Sequence, residues 1–340
     1  MSDFIEEINQ DEIIAELKRA NIRILRKYDT LKRNREDYVE ALYGAARDAF
    51  LNIHVSPVKP PAKDKRRKDT EVAAVVLSDW QLGKVTPDYN SEVCEQRVKL
   101  MAEKVIELTK IQQADHPVKE LRVWLVGDIV EGEDIFPGQF ELIDSPLYRQ
   151  LVQATEMIAD FIRTALTHFE TVHVVGVIGN HGRVGRKGQF SVETNADRWA
   201  YTYAKMLLKG EDRVTWEIPE GNLDHWYAVD TVGEKSFFLW HGYNIRGQSG
   251  MPWYGFNKKV AGWANDGIPQ KFDYAVCGHW HQAASFPINK KIVYVNGSTE
   301  SSNSFAAEQL AAASDPSQWL FFVHPKRGIT AEYRCWLDKE

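Results

Sequence analysis

The chain has 340 residues, with 42 Lys and Arg against 48 Asp and Glu, a formal net charge of −6 at pH 7. That balance excludes an overall basic footprint for nucleic acid, so any such binding needs a local patch. The acidic start MSDFIEEINQDE, three widely spaced cysteines (Cys94, Cys277 and Cys335) and the lack of a bilayer-length apolar run argue against a secretory signal, a disulfide framework and a membrane partner; the expected location is cytoplasmic.

Residues 1–53 read as an N-terminal helical arm. Between Asp11 and Ile53, apolar or aromatic residues recur at steps of three and four: Ile14, Leu17, Ile24, Tyr28, Leu31, Tyr38 and Leu42. Asn21 and Arg35 fill the two remaining positions of the heptad register, and a lone Asn at such a seam sets register in paired helices. The pattern fits a coiled coil that forms a homodimer or docks on a partner. It fits equally one amphipathic helix packed on its own domain. Residues 54–70 read as a linker, stiffened by Pro57, Pro60 and Pro61. Its basic run, Lys63, Lys65, Arg66, Arg67 and Lys68, suits a solvated connector or a contact with a nucleic-acid backbone.

Residues 71–340 alternate strands and helices. Runs starting at Ala73, Leu121, Val172, Ser236, Asp273 and Ile292 are apolar enough for strands buried on both faces. Helical patterns over about residues 91–113, 147–169 and 192–209 separate the early runs, which implies βαβ units. The late runs WLFFVHP and ITAEYRCWL suggest antiparallel strands. The expected fold class is α/β, a four-layer-type sandwich of mixed sheets.

Several strands end in residue types that bind metals. These are Asp79 and Gln81 after the first, Gly127-Asp128 after the second, Gly179-Asn180-His181 after the third, His241-Gly242, and Gly278-His279-Trp280-His281. Ligands in open α/β sheets gather at the carboxyl ends of strands, so these side chains should share one crevice. The order GD, GNH, H, GHxH resembles the calcineurin-like metallophosphoesterases over about Val75 to Ser298. The resemblance implies two divalent transition metals, Mn²⁺ foremost with Fe or Zn²⁺ as alternatives, sharing a hydroxide that attacks phosphorus. It places Asp79 and His281 on the first metal, Asn180, His241 and His279 on the second, and Asp128 between them. His181 would serve the leaving oxygen as the catalytic residue. Where the family usually carries Asp-x-His, this chain has Gln81, a weaker donor, so either the first site is looser or Gln81 does not ligate. Where the family often has an acid after the GNH histidine, this chain has Gly182.

Local features point toward a phosphodiester of nucleic acid. Arg183, Arg186 and Lys187 follow GNHG, and Arg246, Trp253, Tyr254, Lys258 and Lys259 follow His241, an interleaving that suits base stacking and backbone contact. The C-terminal QWLFFVHPKRGITAEY is similar to tailed-bacteriophage metallophosphoesterases grouped with SbcD-type DNA-repair nucleases, although no segment reads as their capping domain. That similarity implies a DNA nuclease. The alternatives are a phosphodiesterase or phosphatase on nucleotides or other small phosphoesters, and a binding protein with a weakened metal site. Glu131, Glu133 and Asp134 read as a solvated acidic loop or a helix cap. Trp124 and Trp240 read as core, and Trp80 and Trp280 as candidate walls of the pocket.

Overall fold

The computed structural model describes residues 2–51, 53, 55–185, 187–220, 225–246, 251–301 and 315–338, and within 2–32 only some side chains. Residues Met1–Asp48 form one compact unit and Ala49–Glu340 a second. The first is helical: α1 runs Ser2–Leu51, starting before the apolar pattern does. Of its seam residues, Arg35 and Tyr38 are exposed, while the side chains of Ile14, Leu17, Asn21, Ile24, Tyr28 and Leu31 lie outside the described set.

The second unit holds two mixed sheets. β1 (Glu71–Leu77), β2 (Val118–Leu125), β3 (Thr171–Gly176) and β4 (Val214–Glu217) run parallel. They are joined through α2 (Ser91–Gln112), α3 (Leu147–Leu166) and α4 (Ala196–Leu207), as the alternating pattern predicts. β10 (Ser317–His324) lies antiparallel beside β1, and β11 (Gly328–Trp336) closes that edge, so the C-terminal segment is a hairpin of this sheet. The other sheet has the order β5 (Tyr227–Val232), β6 (Lys235–Trp240), β7 (Tyr274–Cys277), β9 (Lys291–Val295) and β8 (Ala284–Ile288). β4, β5, β8 and α5 (Trp253–Gly262) are short and were not foreseen from periodicity.

Strand alternation builds the layers. Ala74, Val76, Trp124, Val126, Val175 and Phe321 face Phe237, Leu239, Val276 and Tyr294 between the sheets. The intervening residues Phe238, Trp240, Ala275, Cys277, Val293 and Val295 turn outward and pack on Phe256 and Val260 of α5. Helix α3 buries Leu147, Leu151, Ala154, Ile158, Phe161 and Ile162 at helical spacing, and α3 and α2 lie against β3 and β10. The result is helices, sheet, sheet, helix, the expected four layers. Trp124 and Trp240 are core residues, 0% and 1% exposed.

In residues 55–70 the basic run is exposed, as a solvated connector would have it, but the segment is not loose. Its backbone is fastened to the second unit. Arg163 donates to Ser56 O and Arg213 to Val58 O, both at 2.8 Å, and Lys119 donates to Arg66 O at 2.9 Å. Glu211 accepts the amide of Val58 and Glu170 that of Asp64. Proline has already limited the freedom of this stretch, so docking it costs little entropy, and charged side chains satisfy its backbone groups. The basic side chains themselves remain exposed, with Arg66 paired to Asp64 at 2.7 Å.

Candidate metal centre

The loops that leave β1, β2 and β7 share an unusual backbone. Asp79 (φ 53°), Gln81 (φ 47°), Asp128 (φ 53°), His279 (φ 72°) and His281 (φ 55°) are all left-handed. The other described non-glycine residues of positive φ are Asp69, Asp266 and Asn289. Strain of this kind is held in place only where the surroundings over-determine it, and it clusters at functional sites. Gly179 is required by close approach, because a Cβ there would overlap the Asp128 carboxylate.

Asp128, His241 and His279 bring ligand atoms within 4.8 Å of one another. Asp128 and His241 are both fully buried, with Oδ2 and Nε2 2.8 Å apart. On its far side the His241 ring lies 2.8 Å from Val126 O, which can only accept, so Nδ1 carries a proton. In the neutral ring Nε2 is then a lone pair aimed at a carboxylate. A cation between them, or a second proton on the ring, resolves that repulsion. Burial disfavours the charged imidazole, but the Asp128 carboxylate outweighs it and pushes the His241 pKa up to about 9. His279, half-buried, is pushed down to about 3, by desolvation first and by the neighbouring His241 second.

Asp128 Oδ2 also faces Gln81, whose amide nitrogen is 3.4 Å away. The same amide is 3.5 Å from His281 Nε2, which lies 3.3 Å from Asp79 Oδ1. Asp128 thus stands between His241 on one side and the Asp79, Gln81 and His281 group on the other. Asp79 accepts from the His279 amide at 2.9 Å and from the Ser78 hydroxyl at 2.5 Å. Within this centre the buried carboxamide oxygens Asn180 Oδ1 and Gln81 Oε1 have no hydrogen-bond partner among the described residues. Buried carbonyl oxygens are rarely left so, and both belong to residues that the sequence order assigns to the centre. Carboxylate, carboxamide and imidazole donors with orphaned oxygens fit divalent transition metals.

His181 meets this cluster through its backbone, donating its amide to Asp128 Oδ1 at 2.7 Å. Its ring turns elsewhere: Nδ1 is 2.9 Å from Glu131 O and 3.3 Å from Glu131 Oε2. Burial opposes protonation, yet Asp128 and Glu131 raise the His181 pKa to about 9. The expectation for Glu131 is therefore corrected. It is 1% exposed and orients His181, because Gln139 donates to both its carbonyl and its carboxylate. Glu133 does cap, accepting the amide of Leu147 at the start of α3 at 2.8 Å.

Periodicity gave no hint of Asp197 at the start of α4. Its carboxylate accepts the amides of Asp128 (3.0 Å), Ile129 (3.0 Å) and Gly179 (2.9 Å), pinning two of the loops together. Its neighbour Asn195 caps α4 and donates to Gly179 O at 3.2 Å. A Cβ on Gly182 would come 2.6 Å from Asn195 Oδ1 and 2.8 Å from the Asp197 carboxyl carbon, so the loop has no room for the acid often found there in the family it resembles. Glu300, after β9, is 4% exposed and lies 2.9 Å from His281 Nδ1. The signal for Glu131 was its spacing three residues after Asp128. For Asp197 and Glu300 no local signal exists.

Of the basic residues proposed from sequence, Arg183 is half-buried and donates to Asn180 O at 2.8 Å, bracing that residue. Lys187 and Arg246 are exposed, and Arg186 lies outside the described residues. Trp253 and Tyr254 are 55% and 81% exposed at the start of α5. Phe256 of that helix lies 6.2 Å from the Trp280 ring, which sits 5.3 Å from His279. Trp280 thus does wall the centre, whereas Trp80 is fully buried.

No protein-family model and no curated protein matches the sequence. Among solved structures the chain is similar to a novel archaeal phosphodiesterase, at 11% identity over 77% of this chain and 99% of that one, with a TM-score of 0.34. It is also similar to a conserved uncharacterised protein of Streptococcus pneumoniae TIGR4 described as a predicted phosphoesterase (14% identity, 78% and 98% covered, TM-score 0.30). A third similar structure is wild-type Vps29 complexed with zinc from Entamoeba histolytica (13% identity, 78% and 99% covered, TM-score 0.32).

Proposed function

We propose that the protein is a two-metal phosphoesterase that hydrolyses phosphodiester bonds, with DNA as substrate. The observation that carries this reading is the placement of Asp128 Oδ2 between the His241 lone pair and the Asp79, Gln81 and His281 group. Asp79, Gln81 and His281 would hold one ion, Asn180, His241 and His279 the other, and Asp128 both. When bound, two such ions supply Lewis acidity at the phosphoryl oxygens and activate water. Mn²⁺ is the first choice for this donor set, with Fe and Zn²⁺ next.

The chain's own residues supply the rest. His181 keeps Nδ1 on Glu131 O, leaving Nε2 to carry a proton to the leaving oxygen. Trp280 sets an aromatic ring 5.3 Å from that of His279. Lys187 and Arg246 offer positive charge, and Trp253 and Tyr254 offer exposed rings, as a DNA strand requires. This substrate continues the sequence resemblance to SbcD-type nucleases.

The test is hydrolysis of a single-stranded oligonucleotide and of bis-p-nitrophenyl phosphate, with Mn²⁺ added to metal-free native and Asp128→Ala protein. Native cleavage of both, lost in the variant, supports the reading. Cleavage of the small diester alone favours a nucleotide or small-molecule phosphodiesterase. Two bound ions without cleavage of either favour a binding protein.

A further inference from the structure

The side chains around the first group contain a feature that ligand spacing does not explain. Glu300 is buried at 4% exposure, and Lys84, which follows Gln81 by three residues, sits 2.5 Å from its Oε2. The other oxygen, Oε1, is 2.9 Å from His281 Nδ1. The loop is stitched to the opposite strand end. Ser298 donates to Asp79 O at 2.6 Å and accepts the Glu300 amide at 2.9 Å, and the Thr299 amide reaches Asp79 O at 3.3 Å. Burying a carboxylate is expensive even when it is paired, so a buried pair aimed at one imidazole asks for a reason.

We propose that Glu300 is a positioning residue for the first metal, that Lys84 clamps it, and that the pair offsets the weak donor at Gln81. The proposal rests on the two-metal reading above. An ionised acceptor opposite Nδ1 fixes the proton there and leaves Nε2 as a lone pair on the inner side of the ring. Nε2 is the atom that faces Asp79 and the Gln81 amide. A carboxylate partner also makes that lone pair more basic and fixes the plane of the ring. At a site with one carboxamide where an imidazole would donate more, a more basic His281 recovers affinity. Lys84 neutralises the far oxygen, so Glu300 stays ionised and holds one orientation.

The experiment is calorimetric titration of Mn²⁺ into metal-free native, Glu300→Gln and Lys84→Met proteins, with melting temperatures recorded alongside. Native protein should bind two ions. Glu300→Gln keeps the shape but loses the charge, and should weaken one ion by about 10- to 100-fold while leaving the other unchanged. Adding Gln81→His to Glu300→Gln should restore much of that affinity, which a purely structural ion pair would not predict. Lys84→Met should weaken the same ion in the same direction. Unchanged affinities in a folded Glu300→Gln protein overturn the proposal while the two-metal reading stands. If that variant does not fold, an unchanged first-site affinity in Lys84→Met overturns it. Native protein that binds no Mn²⁺ sinks the two-metal reading, and this proposal with it.

Discussion

Replacing Asp197 by Asn tests whether the centre is shaped from behind. The Asp197 carboxylate takes four amides: Asp128 and Gly179 on Oδ2, Ile129 and, at 3.5 Å, Val130 on Oδ1. In the carboxamide one oxygen can keep Asp128 and Gly179, but the NH₂ then faces the Ile129 N–H and the more distant Val130 N–H. One charge-assisted bond of ordinary length, about 1.5–3 kcal/mol, is lost, and a buried donor is orphaned. The two bonds that remain lose their charge. A total of about 2–4 kcal/mol is expected, with the overlap between these terms removed. At about 2–4 °C per kcal/mol for a domain of this size, the melting temperature should fall by about 5–15 °C. Scanning calorimetry on metal-free protein isolates this from any loss of ligand stabilisation. Because the Asp128 and Gly179 backbones shift together, Mn²⁺ affinity should drop at both ions as well. A melting point within about 2 °C of native, with both affinities intact, would refute the idea that Asp197 shapes the site.

Changing His181 to Ala should slow cleavage of a nucleotide diester by about 10²–10⁴-fold with metal retained, and slow a nitrophenyl diester less, since a good leaving group barely needs a proton. Equal slowing of both would make His181 a charge stabiliser, and loss of metal would make it a ligand. Gly182→Asp, which restores an acid often found at that position, should destabilise by about 1–3 kcal/mol through overpacking against Asn195 and Asp197, read as a lower urea midpoint; an unchanged midpoint contradicts the crowding. The arm is expected to self-associate, so deletion of residues 1–48 should halve the mass seen by light scattering and leave diester hydrolysis intact. The cut belongs before Ala49 because the Phe50 ring packs 5.7 Å from Tyr203. Equal masses per chain for the two proteins would favour the packed-helix alternative.

The frame of the site was legible because its ligand types close long apolar runs. Val75, Val76 and Leu77 announce a buried strand, and Asp79 stands just past its end. The same holds for Asp128 after β2 and His279 after β7. What supports those residues was not legible. Asp197 meets Asp128, and Glu300 meets Lys84, only after α/β crossovers have been folded. Neither residue interrupts a local pattern, so sequence periodicity gives it no weight. The docking of the linker backbone was hidden for a related reason. Composition reports what its side chains prefer, but its place is set by Arg163, Arg213 and Glu211 on distant elements.

The left-handed backbone at Asp79, Gln81, Asp128, His279 and His281 limits how this centre can change by substitution. At about 1–2 kcal/mol each, these five residues withhold about 5–10 kcal/mol from the native state. That approaches the entire stability of an ordinary domain. Glycine at any of them would relieve the backbone while deleting a side-chain donor, and at Asp79 or Asp128 it would also orphan the amides of His279 or His181, so the strain cannot be shed there without a cost elsewhere.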